Sequence, residues 1–353
     1  MRLAYAPYIL KFKSPAGTSR GILTEKPTFI IKIFDESDPS CFGIGECSVF
    51  PGLSPEADGN YGYKLVELLA NMALGKDTDL SRHSSILFGL EQAIHDYAGG
   101  GRHIYFPSSF TAGEKYIEIN GLVWMGDFSA MMSRIDEKVK QGFHCIKLKI
   151  GAIDWQKEVE MIEYIRNKYT ESSLEIRVDA NGGFNMDNVF PRLKKLADLG
   201  VHSIEQPVTA SVPDEIYGFI CRMSPVKIAL DESLIGKYDT ESKCRLLDSV
   251  NPSYIILKPS LCGGFAGAEE WIALARERGI GWWVTSALES NIGLNALAQW
   301  TATLDTEIPQ GLGTGALFTN NFISPLVLDS DRLKYDPGFE INNDIYADLD
   351  WHF

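Results

Sequence analysis

Charged side chains recur at one position in five successive apolar runs of this chain. The steps from Lys149 onward are 30, 26, 26 and 27 residues, which is a nearly constant period. The residues are Lys147 and Lys149 in the first run, then Asp179, Glu205, Asp231 and Lys258. Parallel strands that are buried on both faces are normally apolar throughout, so a charge repeated at one height points to chemistry.

The three acids form a candidate metal site. Asp179, Glu205 and Asp231 come from neighbouring runs, so their carboxylates are expected to converge. Three carboxylates packed together without a cation repel one another and could not all ionise. Oxygen ligands without His or Cys favour Mg2+, with Mn2+ as a substitute. Each acid alone could cap the following helix, but three acids in register favour the metal.

The three lysines are candidates for proton transfer. Lys147 and Lys149 are two residues apart on one strand and therefore point to the same face. A lysine beside a second lysine and a divalent cation is expected to have a lowered pKa, which makes it a general base. Lys258 is expected to face Lys149 across the mouth of the sheet. The alternatives are snorkelling lysines or ion-pair partners of the acids, and Lys147 could serve structure or substrate charge.

The apolar runs alternate with amphipathic helical patterns. Eight runs indicate buried parallel strands, at 117–124, 145–151, 174–182, 202–208, 227–233, 254–260, 281–290 and 310–318. Eight such units in about 200 residues predict a (β/α)8-type barrel, whose active sites lie at the carboxyl ends of the strands. A doubly wound open sheet is the alternative, but no G-x-G-x-x-G motif follows the first strand.

The chain is predicted to contain two units in tight contact. Strand-like stretches followed by a helix-rich part predict an α+β unit over 1–110, and the barrel is expected over 111–318. The tail, 319–353, has no barrel pattern and is expected to pack back on the first unit.

Composition excludes several classes of protein. The 353 residues are 45% apolar and 23% charged, which is ordinary for a globular protein. Lys and Arg number 33 against 47 acids, and the net charge of −14 argues against nucleic acid or a membrane surface as partner. No apolar run is long enough to span a membrane, and the first residues indicate a strand and not a signal peptide. Six scattered cysteines without a C-x-x-C pair predict reduced thiols and a cytoplasmic location.

Taken together, the motifs resemble the muconate-cycloisomerase subgroup of the enolase superfamily. They are K-x-K at 147–149, RVDANGGF at 177–184, IEQP at 204–207, LDES at 230–233 and LKPS at 257–260. The resemblance covers nearly the whole chain and implies that the first unit is a capping domain. It also implies the known arrangement of that superfamily, in which a lysine removes a proton beside a carboxylate and the metal holds the enediolate.

Within this subgroup the chain is similar to the o-succinylbenzoate synthase pattern. The segments that carry this similarity are 18–23, 45–56, 286–293 and 311–315. Dipeptide epimerases typically carry Asp-x-Asp on the eighth strand, cycloisomerases a glutamate there, and mandelate racemases a His on the seventh strand. The runs at 310–318 and 281–290 contain none of these at the expected places. N-acylamino acid racemase and dipeptide epimerase remain the enzymatic alternatives.

The similarity implies dehydration of a small carboxylate, 2-succinyl-6-hydroxy-2,4-cyclohexadiene-1-carboxylate, to 2-succinylbenzoate in menaquinone synthesis. Lys149 would abstract the proton, and Lys258 would be a cation on the opposite face. Asn181 could orient Asp179, bind a water of the metal, or be a turn residue. A barrel that serves only as a binding protein is the alternative outside enzymology, and it would be expected to lack some of these residues.

Substrate contacts are expected from the capping loops and the last two strands. Phe50 and Leu53 could cover the ring, and Arg20 could pair with the substrate or be solvated. Ser286, Ser290 and the amides near Gly313 and Thr314 could bind a carboxylate or the succinyl group. The two serines could equally be ordinary turn and helix-cap residues.

Overall fold

The computed structural model describes residues 1–18, 21–124, 128–151 and 153–353. The first elements are β1 (Arg2–Thr18), β2 (Gly21–Asp35), β3 (Asp38–Cys47), α1 (Tyr61–Ala73) and α2 (Ser84–Ala98). The strands form an antiparallel sheet in the order β1-β2-β3. Alternation along β2 gives it two buried faces, with Ile31 packed towards α1 and α2 and Ile30 towards the C-terminal tail.

Helix α2 packs unusually close to β3 because glycines meet there. A Cβ at Gly45 would lie 1.9 Å from the carbonyl oxygen of Gly89, a distance that no side chain tolerates. The backbones of the helix and the strand can therefore approach only without side chains at these positions.

A parallel sheet with surrounding helices makes up most of the remaining chain. Its elements and those of the tail are β4 (Ile117–Glu118), β5 (Gly121–Val123), α3 (Phe128–Lys140), β6 (Cys145–Lys149), α4 (Trp155–Lys168), β7 (Glu175–Asp179), α5 (Val189–Asp198), β8 (Ser203–Glu205), α6 (Asp214–Met223), β9 (Lys227–Leu230), α7 (Thr240–Val250), β10 (Tyr254–Leu257), α8 (Pro259–Cys262), α9 (Gly264–Glu277), β11 (Gly281–Val284), α10 (Asn291–Thr301), β12 (Leu326–Asp329) and β13 (Arg332–Tyr335). Strands β5 to β11 pair in sequence order in one parallel sheet. The barrel architecture predicted from the sequence is confirmed.

The eighth predicted strand differs from the expectation. The described residues at 310–318 form no full strand, but two parallel bridges, Ile119 to Gln310 and Thr285 to Gly311, connect the two edges of the sheet. The amide of Gln310 donates to the Glu118 carbonyl over 2.8 Å, and that of Gly311 to the Val284 carbonyl over 2.7 Å. The sequence GLGTG has little strand propensity, so pairing stops after these residues.

Strand alternation explains how a buried sheet can carry charge. In β6 the apolar Ile146 and Leu148 are fully buried in the main core, beneath the surrounding helices. Lys147 and Lys149 alternate with them and therefore face the barrel interior. The outer faces of the strands hold the helices, and the inner faces are free to carry the site.

The C-terminal tail contacts both parts of the chain. Strand β13 pairs antiparallel with β4 at the start of the barrel, and His352 forms a bridge with Tyr5 in β1. His103 Nε2 lies 2.7 Å from Asn343 Oδ1. The division of the chain at residues 110 and 318 stays a prediction.

The described residues hold six free cysteines and show no disulfide among them. Within the same ranges, no helix combines the length and apolar character that crossing a membrane requires.

Glu91 joins α2 of the N-terminal unit to α9 of the barrel. Its Oε2 accepts from the amide of Phe265 over 2.5 Å and its Oε1 from the amide of Ala266 over 3.1 Å. Burial outweighs these hydrogen bonds and, with the nearby charge of Glu269, raises the pKa of Glu91 from 4.5 to about 7. The pKa of Glu91 is therefore higher in the folded than in the unfolded state. Its contribution to the stability of the fold is complete below the unfolded pKa and is lost as pH rises through about 7.

Replacing Glu91 by Gln removes this titration while keeping an oxygen that can accept an amide hydrogen bond. The quantity compared is the free energy of unfolding of the variant minus that of the unmodified protein. We expect this difference to be about 1–3 kcal/mol larger at about pH 8 than at about pH 5. Urea unfolding at both pH values measures the difference. Glu114→Gln, at an exposed position, is the control and should show no pH-dependent difference. A Glu91→Gln difference that is the same at both pH values would contradict the prediction.

Candidate active site

The carboxyl ends of β6 to β10 bring the predicted charged residues together in the barrel mouth. The strand register pairs Lys149 with Asp179 and Asp179 with Glu205, so the three lie at one level. Asp231 and Lys258 directly follow β9 and β10. The three acids are at most 3% exposed, which makes their mutual charge expensive.

Lysine ammonium groups contact each of the three carboxylates. Lys147 Nζ lies 3.0 Å from Asp179 Oδ2 and 2.5 Å from Glu205 Oε2, so it bridges two acids. Lys149 Nζ lies 2.5 Å from Asp179 Oδ2, and Lys258 Nζ hydrogen-bonds Asp231 Oδ2. The lysines neutralise part of the negative charge that the acids accumulate.

The electrostatics of the acids show unrelieved repulsion at Glu205. Burial, followed by the charges of Asp179 and Asp231, raises the pKa of Glu205 well above its ordinary value. Burial also opposes ionisation of Asp179, but Lys147 and Lys149 hold the pKa of Asp179 below its ordinary value. The acids therefore do not share the available positive charge equally.

The donor set fits a hard divalent cation. Glu205 Oε1 is buried without a hydrogen-bond partner, and a cation would both satisfy this oxygen and relieve the repulsion. As the side chains stand, no three His, Cys, Asp or Glu groups within the described ranges are placed to hold a metal ion. One oxygen of each acid contacts a lysine, Oδ2 of Asp179, Oε2 of Glu205 and Oδ2 of Asp231, and each acid has a second oxygen.

The lysine pKa values differ from the sequence expectation. Burial lowers the pKa of Lys147, but Asp179, Glu205 and the third acid outweigh burial, and the net shift is upward. Burial likewise opposes the charge of Lys258, and the surrounding carboxylates again raise its pKa overall. The expected lowering depended on a cation, and the protein groups alone act in the opposite direction for these two lysines.

Asn181 hydrogen-bonds Lys149 and two acids, Asp179 and Glu232. Its side-chain Oδ1 accepts from Lys149 Nζ over 2.8 Å, and its backbone N–H donates to Asp179 Oδ1 over 3.0 Å. Its Nδ2 donates to Glu232 Oε1 over 3.0 Å. The backbone of Asn181 has a φ of 42°, a left-handed conformation that Asn tolerates better than most residues.

Two residues that the sequence interpretation missed support this site. Gln206 has a φ of 41°, and its Oε1 accepts from the amide of Asp231 over 3.0 Å, which fixes the strand end that carries this acid. Glu232 lines the cavity and is held by Asn181. Both directly follow a predicted ligand, in the motifs IEQP and LDES, and this adjacency was the available signal.

A cavity lies against the charged residues. Most of the predicted residues line it, namely Phe50, Leu53, Lys147, Lys149, Asn181, Lys258, Ser286, Gly313 and Thr314. The wall also contains residues that were not predicted, among them Asn120, Leu122, Trp124, Glu232, Thr285 and Leu288. The cavity therefore joins a charged side to a side that is largely apolar. Arg20 lies outside the described residues.

The two predicted serines have different environments. Ser286 Oγ donates to Glu289 Oε2 over 2.6 Å and accepts from Thr314 Oγ1 over 2.8 Å, so its proton is already used. Ser290 is fully buried and caps α10: its Oγ accepts from the amide of Ile292 over 3.2 Å and donates to Glu46 Oε2 over 2.6 Å. Ser290 is not among the residues that line this cavity, and of the two roles that the sequence left open its hydrogen bonds are those of a helix cap.

With this geometry established, the relationship to known proteins is clear. Residues 130–336 match the family model described as enolase C-terminal domain-like. The chain belongs to this family.

Similar proteins narrow the relationship further. The o-succinylbenzoate synthase of Desulfotalea psychrophila is 45% identical over 94% of this chain and 98% of its own length. A crystal structure of MenC from the same organism superposes with a TM-score of 0.82 at 40% identity and covers 95% of this chain and 99% of that one. A dipeptide epimerase from Cytophaga hutchinsonii, solved with Mg and a dipeptide, has a TM-score of 0.78 at 24% identity, with coverage of 99% and 98%. This last similarity shows the fold alone.

Variants of the two serines test their different roles, Ser290 as the cap of α10 and Ser286 as part of the cavity wall. We expect Ser290→Ala to reduce the free energy of unfolding by about 1–2 kcal/mol, because α10 loses its cap and buried Glu46 loses a donor. The KM should stay unchanged. Ser286→Ala should raise KM, because it loosens Thr314 on the cavity wall. Urea unfolding and steady-state kinetics of both variants measure these effects, and a raised KM in Ser290→Ala would contradict the assignment.

Proposed function

We propose that the protein catalyses the o-succinylbenzoate synthase reaction, the Mg2+-dependent dehydration of 2-succinyl-6-hydroxy-2,4-cyclohexadiene-1-carboxylate. One observation carries the proposal: Lys149 and Lys258 end β6 and follow β10, on either side of three strands whose ends carry acids. A substrate carboxylate among the acids places its neighbouring carbon between the two lysines. The 45% identity to a protein of that name supports the same reaction.

The metal would be held by Asp179, Glu205 and Asp231, with Mg2+ favoured and Mn2+ as a substitute. When bound, a divalent cation supplies positive charge that stabilises the carboxylate as negative charge develops on it. Lys147, which contacts Asp179 and Glu205, balances the remaining negative charge. Asn181 and Gln206 orient the two flanking ligands through backbone contacts.

Lys149 is the proposed base. Its Nζ is positioned by Asp179 Oδ2 and Asn181 Oδ1 and borders the cavity, so this nitrogen can reach a substrate proton. Lys258 is held by Asp231 and stays a fixed cation on the opposite face. A syn dehydration needs only one base, because proton and hydroxide leave from the same face.

The rest of the cavity suits a ring, and the run at 310–318 offers no acid to an ammonium group. Phe50 and Leu53 from the N-terminal unit, with Leu122 and Trp124 from the barrel, supply apolar walls. These walls keep water from the reacting carbon and fit a cyclic substrate. Racemase and epimerase reactions are the alternative, but the run at 310–318 has no acid to pair with a dipeptide ammonium.

The proposed setting is the cytoplasm, as a step of menaquinone synthesis with a small carboxylate as substrate. The support for the compartment is the set of six unpaired thiols, which suits a reducing environment.

Metal removal tests the role of the acids. EDTA should abolish dehydration and Mg2+ should restore it, because the cation supplies the positive charge that stabilises the developing negative charge on the substrate carboxylate. Glu205→Gln should weaken Mg2+ binding at least about tenfold, since a charged ligand is lost, with little change in folding. Isothermal titration with Mg2+ and urea unfolding measure the two effects. Full activity of metal-free protein, or an unchanged Mg2+ affinity in the variant, would rule the site out.

Lysine variants separate dehydration from racemisation. Lys149→Ala should lower kcat by about 10²–10⁴, the range for a general base. Lys258→Arg keeps the charge but cannot exchange its proton, so it should retain more dehydration than Lys149→Arg does. Any N-acylamino acid racemisation should vanish in both arginine variants. Equal loss of dehydration in the two, with substrate bound correctly in a crystal structure, would contradict the division of roles.

A further inference from the structure

The cavity has a polar patch on the side away from the acids. Asn120 directly precedes β5 and Thr285 directly follows β11, and both line the cavity. The bridges of Ile119 to Gln310 and Thr285 to Gly311 put them on either side of residues 310–311. In the strand order, this segment is opposite β8, the strand that ends with Glu205.

Both side chains of this patch carry an unsatisfied polar atom. Within the described residues, Asn120 Oδ1 and Thr285 Oγ1 are buried and have no hydrogen-bond partner. Asn120 is only 3% exposed, so water does not compensate in the way it does at a surface. Their neighbours on the wall, Ser286 and Thr314, bond to each other. Asn120 and Thr285 therefore keep hydrogen-bonding capacity that the fold does not use.

Space beside Thr285 depends on a glycine. A Cβ at Gly311 would lie 2.4 Å from Thr285 Oγ1 and 3.0 Å from Thr285 Cβ. Any side chain at position 311 would crowd the hydroxyl, and glycine leaves its surroundings open. Position 311 has no side chain, and the Thr285 hydroxyl has no partner among the described residues. Both features leave the hydroxyl available to a ligand in the cavity.

We infer that Asn120 and Thr285 form a subsite for an oxygen of the substituent that the substrate carries away from its reacting carboxylate. A carboxylate among the acids directs the rest of the molecule across the barrel, towards residues 310–311. The Asn120 amide can present either its oxygen or its NH2 group after a half turn, and the Thr285 hydroxyl can donate. With the Asn120 NH2 group turned towards the cavity, the pair offers two donors, and two donors suit a ketone or carboxylate oxygen. With the proposed function, on which this inference rests, that oxygen belongs to the succinyl chain.

Two ligands that share the benzoate group separate this subsite from the rest of the cavity. The probes are 2-succinylbenzoate and 2-methylbenzoate, titrated into the Mg2+-loaded protein in a calorimeter. Thr285→Val keeps the shape of the side chain and removes the hydroxyl, and Asn120→Leu removes the amide at similar size. We expect each variant to bind 2-succinylbenzoate about 5- to 15-fold more weakly and 2-methylbenzoate equally well. Thr170→Val, an exposed position between α4 and β7, is the matched control and should change neither affinity.

Steady-state kinetics add a second measurement: Thr285→Val should raise KM for the cyclohexadiene substrate and leave kcat within about twofold, because the lost contact is remote from the reacting carbon. Unchanged binding of 2-succinylbenzoate in Thr285→Val, or equal weakening of both ligands, would overturn the inference. If Asn120→Leu does not fold, Thr285→Val alone decides. Failure of the proposed function has a different signature, because the unmodified protein would then neither bind 2-succinylbenzoate nor dehydrate the cyclohexadiene.

Discussion

Repulsion among three buried carboxylates is the constraint on which the active-site structure depends. Strand register brings Asp179 and Glu205 side by side, and the next strand adds Asp231. A barrel interior offers little water to screen these charges, so each acid has a lysine against it. One of these lysines, Lys149, is also the proposed base, so the proposal ties the stability of the site to its chemistry.

Glu46 is a buried acid that, like Glu91, joins the N-terminal unit to the barrel. Glu46, at the end of β3, accepts from the amide of Gly293 over 3.0 Å and from both the amide and the hydroxyl of Ser290. Its charge therefore lies at the N-terminus of α10, where the helix dipole favours an anion. Glu289, beside this helix start, accepts from Ser286 on the cavity wall. The position of the N-terminal unit and the shape of the cavity wall are thus set by adjoining hydrogen bonds.

The two ends of the cavity follow different physical rules. At the acids, polar atoms are crowded and each carboxylate contacts a lysine, although Glu205 Oε1 has no partner within the described residues. Opposite them, Asn120 Oδ1 and Thr285 Oγ1 are buried and without partners in the part of the chain that the structure describes. Unsatisfied buried polar atoms cost stability, and the proposed subsite explains these two by a ligand that completes their hydrogen bonds. Phe50 and Leu53 also line the cavity and provide apolar contacts, which unlike hydrogen bonds have no preferred direction.

The sequence by itself determined the barrel, the heights of the six charged residues and the family. A period of one β-α unit places those residues at equivalent strand ends, since parallel strands repeat the same geometry. Only the tertiary structure decided how residues from distant segments meet. It reduced the eighth strand to two bridges, gave Ser290 the hydrogen bonds of a helix cap, and placed Asn120 and Thr285 in one wall. The physical reason is that periodicity fixes a residue's position along its own strand, whereas hydrogen-bond partners depend on the closure of the barrel and the packing of the N-terminal unit.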